Sequence, residues 1–228
     1  MILAIITARA DSKGLPGKNL MHLGGKPLIQ HSFDVAIESN VFDKIILSTN
    51  SESAIELAKS TKGIEVPFRR PNNLCKDNSS QVDVINHALD SLIKEGIEIK
   101  HFVLLQPTAP FRTAQEVRIG VKMMIEQEKE SVIGVTEAMH HPADYLVLDA
   151  KNRIQYFMPE YTSKPRQNFP KVYFNNGAFY GCTLNFFKEK QVFYNENSSF
   201  LMMSENSLID IDTKFDMKLA EGLINNKN

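Results

Sequence analysis

The sequence predicts an α/β fold of three layers, a doubly wound and mostly parallel sheet of Rossmann type between helices, with a small inserted β arm. Three observations predict it. Short apolar runs alternate with segments of helical periodicity from the first residues onward. The apolar runs are nearly continuous, as expected of strands covered on both faces. The chain has 228 residues, 43% of them hydrophobic, enough for one domain with a sizeable core. Strands that alternate with helices in this way build right-handed βαβ units and place helices on both faces of the sheet.

The elements run in order along the chain. Residues 2–7 form a buried strand, and residues 27–39 carry Ile29, Phe33, Ala36 and Ile37 at helical spacing. Residues 44–49 give the next strand and residues 52–62, with Ile55, Leu57 and Ala58, the next helix. Residues 64–68 read as a strand that stops at the Arg69-Arg70-Pro71 corner. A long helix begins near Gln81, with Val82, Ile85, Leu89 and Leu92 on one stripe. A strand at 102–105, a helix at 114–129 and a strand at 131–135 come next. Between residues 140 and 172 the pattern changes to two short β pieces, 145–148 and 153–157, joined by the turn Asp149-Ala150-Lys151-Asn152. Pro159, Pro165 and Pro170 punctuate the polar stretch after them, so 140–172 reads as an inserted arm within a single domain spanning 1–228. Residues 172–181, a short helix near Asn185, a strand at 208–211 and a helix from Thr213 return to the main body.

Composition narrows the function. Lys and Arg number 26 against 27 Asp and Glu, and this neutrality lacks the basic footprint of a nucleic-acid binder. A small anionic ligand needs only a local cluster of cations. Cys75 and Cys182 make no disulfide framework and match no zinc spacing. The opening residues lack the basic start and longer apolar stretch of a signal peptide, and no run approaches the ~18 apolar residues of a membrane span. A cytoplasmic protein without membrane or nucleic-acid partners is the expectation.

In open parallel sheets ligands bind beyond the carboxyl ends of the strands. The polar residues there are 9–19, Asn50, 69–80, 106–112 and 210–212. They mix cations, amides and carboxylates, a lining suited to a phosphate-bearing ligand with a divalent metal. The loop Ala8-Arg9-Ala10-Asp11-Ser12-Lys13-Gly14-Leu15-Pro16-Gly17-Lys18-Asn19 is the strongest feature, with glycines that admit backbone N–H groups to a phosphate and lysines that supply charge. It is neither a P-loop nor a dinucleotide fingerprint. Two residues separate Gly14 from Gly17, Asn19 follows Lys18, and no G-x-G-x-x-G occurs. Asp210 and Asp212 stand two apart on the expected strand, so both side chains leave one face. A pair of carboxylates suits a hard cation that also binds phosphate oxygens, whereas Asp212 alone also reads as a helix N-cap.

The loop resembles the nucleotide-binding signature of the sugar cytidylyltransferases, and closely that of the CMP-N-acylneuraminate (CMP-sialic acid) synthetases. The likeness continues in order through Arg69-Arg70-Pro71 with Leu74, Asp77 and Ser79-Ser80, and through Leu104-Leu105-Gln106-Pro107-Thr108-Ala109-Pro110-Phe111-Arg112. It runs on through His140-His141-Pro142, Pro165-Arg166-Gln167, Asn176-Gly177-Ala178-Phe179-Tyr180 and Ile209-Asp210-Ile211-Asp212. The resemblance implies transfer of CMP from CTP to a nonulosonic acid, N-acetylneuraminic (sialic) acid foremost, with release of pyrophosphate and with Mg²⁺. It implies nucleotide contacts from Arg9, Lys13, Lys18, Asn19, Arg70, Ser79 and Ser80, with Lys18, Arg9 and Asp210 central to catalysis. Gln106, Arg166 and Tyr180 are implied for the sugar, Asp210 and Asp212 for the metal. The arm is implied to cross a homodimer interface, so that Arg166 serves the neighbour's site.

One departure bears on the substrate. Where a basic residue is expected shortly after His140-His141-Pro142, this chain has Asp144, which makes legionaminic acid a competitor. 3-Deoxy-manno-octulosonate fits the first loop less well, because this chain has Lys13-Gly14 and Asn19 there. A non-catalytic nucleotide-sugar-binding subunit is the reading from another class, opposed by the intact Arg9, Lys18, Asp210 and Asp212. The adjacent His140 and His141 point to opposite faces and read as structural.

Overall fold

The computed structural model describes residues 1–10 and 14–225. In chain order its strands and helices are β1 (Ile2–Ala8), β2 (His22–Leu23), β3 (Lys26–Pro27), α1 (Leu28–Ser39), β4 (Lys44–Thr49), α2 (Glu52–Ser60), α3 (Gln81–Lys94) and β5 (His101–Leu104). They continue as α4 (Ala114–Glu126), β6 (Ser131–Glu137), β7 (Leu146–Leu148), β8 (Ile154–Tyr156), β9 (Tyr173–Thr183), α5 (Leu184–Lys190), β10 (Ser199–Met202) and α6 (Lys214–Asn225).

Six strands form one sheet in the order β10-β6-β9-β5-β1-β4. β1 lies parallel to β4 and β5, and β6 parallel to β10, while β9 runs antiparallel between β5 and β6. The sheet is therefore mostly parallel, with β9 as the reversed strand. Alternation within buried strands builds the layers. Ala4 and Ile6 face a cluster with Ile29 and Phe33 of α1, Ala54 and Ala58 of α2, and Val117 and Val121 of α4. Leu3 and Ile5 face the opposite cluster with Ile85, Leu89 and Leu92 of α3 and with Phe186 and Phe187 of α5. A third cluster joins Leu15, Leu23 and Leu28 to Ile211, Met217 and Ala220, seating α6 against the loop after β1.

The helix starts are written in their caps. The Ser51 hydroxyl accepts from the Ala54 N–H at 3.3 Å, and Ser80 caps α3 by accepting from Val82 N–H at 3.1 Å. Thr113 and Glu116 form a reciprocal capping box at the start of α4.

Two expected strands are not strands. Residues 64–68 make a single bridge, Ile46 to Glu65, because Pro67 has no N–H to extend the ladder. Residues 208–211 lie off the sheet. A 3-10 turn over Glu205–Leu208 runs into them, and the sheet edge beside β6 is held by β10. β10 itself escapes a reading for buried strands, since Phe200 and Met202 are exposed and only Leu201 is buried. Within the expected arm, β7 and β8 pair as a separate hairpin. Its turn forms on Asp149, whose Oδ1 accepts from the N–H groups of Lys151 and Arg153 at 2.8 and 2.9 Å.

Candidate active site

A polar cleft of about 250 Å³ opens at the carboxyl ends of β1 and β5. Arg9, Lys18, Asn19, Arg70, Gln106, Asp210 and Asp212 all line it, and these are sequence-derived candidates. Thr7, Gln81 and Thr108 join them.

The loop after β1 is fixed at both ends. The Ala10 N–H donates to Asn50 Oδ1 at 2.9 Å, and the buried Asn19 donates from Nδ2 to the Arg9 carbonyl at 3.2 Å. Leu15 sinks into the α6 cluster. Gly17 takes φ 68°, a left-handed turn that starts the 3-10 segment Lys18–Leu20 and brings Lys18 round to the cleft. At Gly14 a Cβ would stand 2.7 Å from the Asp212 carbonyl oxygen, so this residue lets the loop close onto the 210–212 segment. Lys13 lies outside the described residues.

The cations of the cleft are already engaged. Lys18 Nζ donates to the Ile211 carbonyl at 3.1 Å and forms an ion pair with Asp212. Arg9 pairs with Asp77 at 2.7 Å. Arg70 is buried, donating from Nε to the Ser48 hydroxyl at 3.1 Å and also to the Ser48 carbonyl. Burial pulls its guanidinium down to about 10, so it stays charged at neutral pH.

Asp210 and Asp212 reach the same cleft without a strand to set them. Ile211 between them is fully buried in the α6 cluster, and its N–H donates to the Thr108 carbonyl at 2.8 Å. That anchor turns both carboxylates to the other side. The N-cap reading of Asp212 is corrected by Thr213, which exchanges hydrogen bonds with Asp216: its N–H donates at 2.7 Å and its hydroxyl accepts from the Asp216 N–H at 3.2 Å. Asp212's carboxylate is thereby left to the cleft. Among the described residues Asp210 Oδ1, which is buried, has no hydrogen-bond partner. Desolvation raises the Asp210 pKa, Asp212 adds to the rise, and the Thr108 hydroxyl and Lys18 oppose it.

This buried carboxyl oxygen, unpartnered among the described residues, tests the fit of a divalent cation, and the fit is good. A hard ion held by one or two carboxylates together with phosphate oxygens needs this donor set. Among the described residues no group of three or more His, Cys, Asp or Glu is arranged for a metal.

The remaining candidates stand apart from the cleft. Ser79 Oγ accepts from the Lys76 N–H at 3.0 Å and donates to the Asn73 carbonyl at 3.2 Å, and Ser80 is spent on its cap. The next residue, Gln81, takes their place, donating from Nε2 to Thr7 Oγ1 at 3.2 Å. The signal for Gln81 is its position as the first residue of a helix that begins at the cleft. Tyr180 sits on β9 opposite Leu104, tilted against Phe193 at 5.3 Å, and burial raises its pKa. Arg166 is 82% exposed and pairs with Asp144 at 3.2 Å. With His140, His141 and Lys171 it lines a separate hollow of about 320 Å³. His141 is structural there: its Nδ1 accepts from the Ala143 N–H at 3.1 Å and its ring lies 4.7 Å from Phe169.

Arg112 is a scaffold residue to which the sequence alone assigns no role. It is buried, donates to the carbonyls of Gln106 and of Ala109 (2.6 Å), and fixes the loop that carries Gln106 and Thr108. Burial pulls it down to about 9 while Asp210 and Glu116 hold it up, so it too stays cationic.

Comparison with known proteins gives a consistent pattern. Residues 3–226 match the family described as cytidylyltransferase. The chain is 35% identical over 229 residues to the CMP-N,N'-diacetyllegionaminic acid synthase of Legionella pneumophila, covering 98% of this chain and 96% of that one. It is 30% identical over 219 residues to the pseudaminic acid cytidylyltransferase of Campylobacter jejuni, covering 96% and 94%. To the N-acylneuraminate cytidylyltransferase of Escherichia coli it is 33% identical over 228 residues, but it spans 53% of that protein. The solved structure of a CMP:2-keto-3-deoxy-manno-octonic acid synthetase complexed with CTP superposes with a TM-score of 0.70 at 14% identity, over 100% and 99% of the two chains. A 4-diphosphocytidyl-2C-methyl-D-erythritol synthase from Anaerococcus prevotii gives 0.64 at 13%, over 98% of each. At these identities the two structures speak for the fold.

Proposed function

The chain belongs to the cytidylyltransferase family, and on that premise we propose that it joins CTP and a nonulosonic acid into a CMP-sugar. The observation that carries this reading is the cleft itself, where Arg9, Lys18 and Arg70 meet Asp210 and Asp212 at the carboxyl end of the sheet. The sugar hydroxyl oxygen attacks the α-phosphorus, the bond from that phosphorus to the bridging oxygen breaks, and pyrophosphate leaves with the electron pair. The hydroxyl proton passes to solvent or to a nearby carboxylate. Little covalent work falls to the protein, so positioning and charge neutralisation dominate.

Lys18 and Arg9, with Lys13 from the same loop, spread positive charge over the triphosphate as the leaving group forms. Asn19, Arg70 and Gln81, all lining the cleft, hold the nucleotide, whereas Ser79 and Ser80 shape the turn and the cap that bring Gln81 there. Asp210 and Asp212 would hold Mg²⁺, which supplies polarisation of the phosphate and a lowered pKa for a bound hydroxyl. Gln106, which lines the cleft, offers hydrogen bonds to sugar hydroxyls, and Tyr180 lies outside its lining. Arg166 offers a fork for the sugar carboxylate, in the site of a neighbouring subunit.

That neighbour is supported by the arm. Leu148, Ile154 and Phe157 are 65, 68 and 60% exposed, and a two-stranded hairpin with bare apolar side chains needs cover. A homodimer provides it. The reaction is assigned to the cytoplasm, and no helix among the described residues is long and apolar enough to cross a membrane.

For the sugar, legionaminic acid is placed ahead of N-acetylneuraminic acid. Two observations favour it: the similarity to the Legionella protein extends over nearly the whole of both chains, and Asp144 engages Arg166. Pyrophosphate release measured with CTP, Mg²⁺ and each of legionaminic, pseudaminic, N-acetylneuraminic and 3-deoxy-manno-octulosonic acids tests the order. The highest kcat/KM is expected with legionaminic acid, and a preference for the octulosonic acid would overturn the nonulosonate reading.

A further inference from the structure

Lys18 and Asp212 are each required for a different ligand, yet in the free chain they are bound to one another. Lys18 Nζ forms an ion pair with Asp212 Oδ1 and donates to the neighbouring Ile211 carbonyl at 3.1 Å. The ammonium side chain is only 13% exposed while the carboxylate is 67% exposed, so the lysine is held inward over the carboxylate. Gly14 presses the same loop against the Asp212 backbone, which fixes the two partners at close range. Two residues away, Asp210 Oδ1 is buried and has no hydrogen-bond partner among the described residues. An ammonium and a divalent ion cannot share the Asp212 oxygen without strong repulsion in a partly desolvated cleft.

We propose that Lys18 is a stand-in cation that keeps the divalent metal off Asp212 until the triphosphate draws the ammonium away. This inference rests on the reading of Asp210 and Asp212 as the metal-holding pair. Phosphate oxygens offer Lys18 more negative charge than one carboxylate does, so arrival of the nucleotide moves the ammonium and bares Asp212. Metal and nucleotide then bind with positive coupling, and by linkage each raises the affinity of the other by the same factor. Arg9 is arranged alike, released from Asp77 to the phosphates. The free enzyme thus avoids holding a bare dication without substrate, and the site is assembled only when CTP is present.

The test uses Mn²⁺ as probe, with its binding to the full chain in the absence of nucleotide followed by loss of the free-ion EPR signal. Lys18→Met removes the stand-in and is expected to bind Mn²⁺ about tenfold more tightly than wild type. Adding Asp212→Asn to that variant is expected to abolish the gain. Thermal melting checks that the variants fold, and Lys18→Gln serves if the methionine variant does not. Equal or weaker Mn²⁺ binding in the lysine variants would overturn the stand-in role while leaving the metal pair intact. If neither protein holds Mn²⁺ on Asp210 and Asp212 even with CTP present, shown by equal Mn²⁺ dependence of CTP binding in Asp210→Asn, the metal reading fails and the stand-in role with it.

Discussion

Asp210 concentrates the conflict between folding and function in one side chain. Its buried Oδ1 finds no hydrogen bond among the described residues, and desolvation raises its pKa above the ordinary 3.8. A carboxyl with a raised pKa in the folded state stabilises below its unfolded pKa, and that stability is lost as pH rises through the folded value. Above that folded value the buried carboxylate weakens the unliganded protein. Asp210→Asn is expected to raise the melting temperature at pH 7, by about 2–4 °C for each kcal/mol recovered. The gain should shrink as pH falls toward 3.8. A melting difference that does not change with pH would contradict this cause. If Asp210 holds the metal as proposed, the same variant should also lose turnover. Lys18→Ala is expected to lower kcat by about 10²–10³ through loss of the charge that neutralises the leaving pyrophosphate. Steady-state kinetics of CMP-sugar formation checks it.

At the scale of elements, the site depends on three loops that grip one another. Gly14 seats the loop after β1 on the Asp212 backbone, and Arg112 fixes the loop after β5 through two carbonyls. Gly14→Ala would force the loop off the 210–212 segment, at an expected cost of about 1–3 kcal/mol in chemical denaturation. Arg112→Leu should cost about 3 kcal/mol, because the carbonyls of Gln106 and Ala109 stay buried without donors. These grips also mark what could be read from residues alone. Strands such as β1 and β5 are visible because both faces are apolar, and helices such as α4 because cap and stripe agree. β10 is not visible, as its Phe200 and Met202 face outward like those of a surface segment. The convergence of Arg9, Lys18, Asp210 and Asp212 follows from motif order and sheet topology. The helix start at Gln81 is legible, but its reach into the cleft is not, and the station of Arg112 depends on how a loop closes in space. The direction of Asp210 and Asp212 was expected from a strand, and it is Ile211, anchored by Thr108, that sets it.

For the whole molecule, the sheet supplies one catalytic end and the arm supplies an apolar surface that one chain leaves bare. In solution the 25.8 kDa chain is expected to run as a dimer in light scattering, and replacing Leu148 and Ile154 by Asp should yield monomers. A monomeric wild type at micromolar concentration would contradict the arm's role. If Arg166 serves the partner's site, the monomeric variant should also lose affinity for the sugar while keeping affinity for CTP. The most direct test of the central claim is release of pyrophosphate from CTP, followed with and without a nonulosonic acid in wild type and in Asp212→Ala. Wild type should release one pyrophosphate per CMP-sugar, only when sugar and Mg²⁺ are both present, and Asp212→Ala should release almost none. Failure of wild type with every nonulosonic acid, or undiminished release in Asp212→Ala, would contradict it.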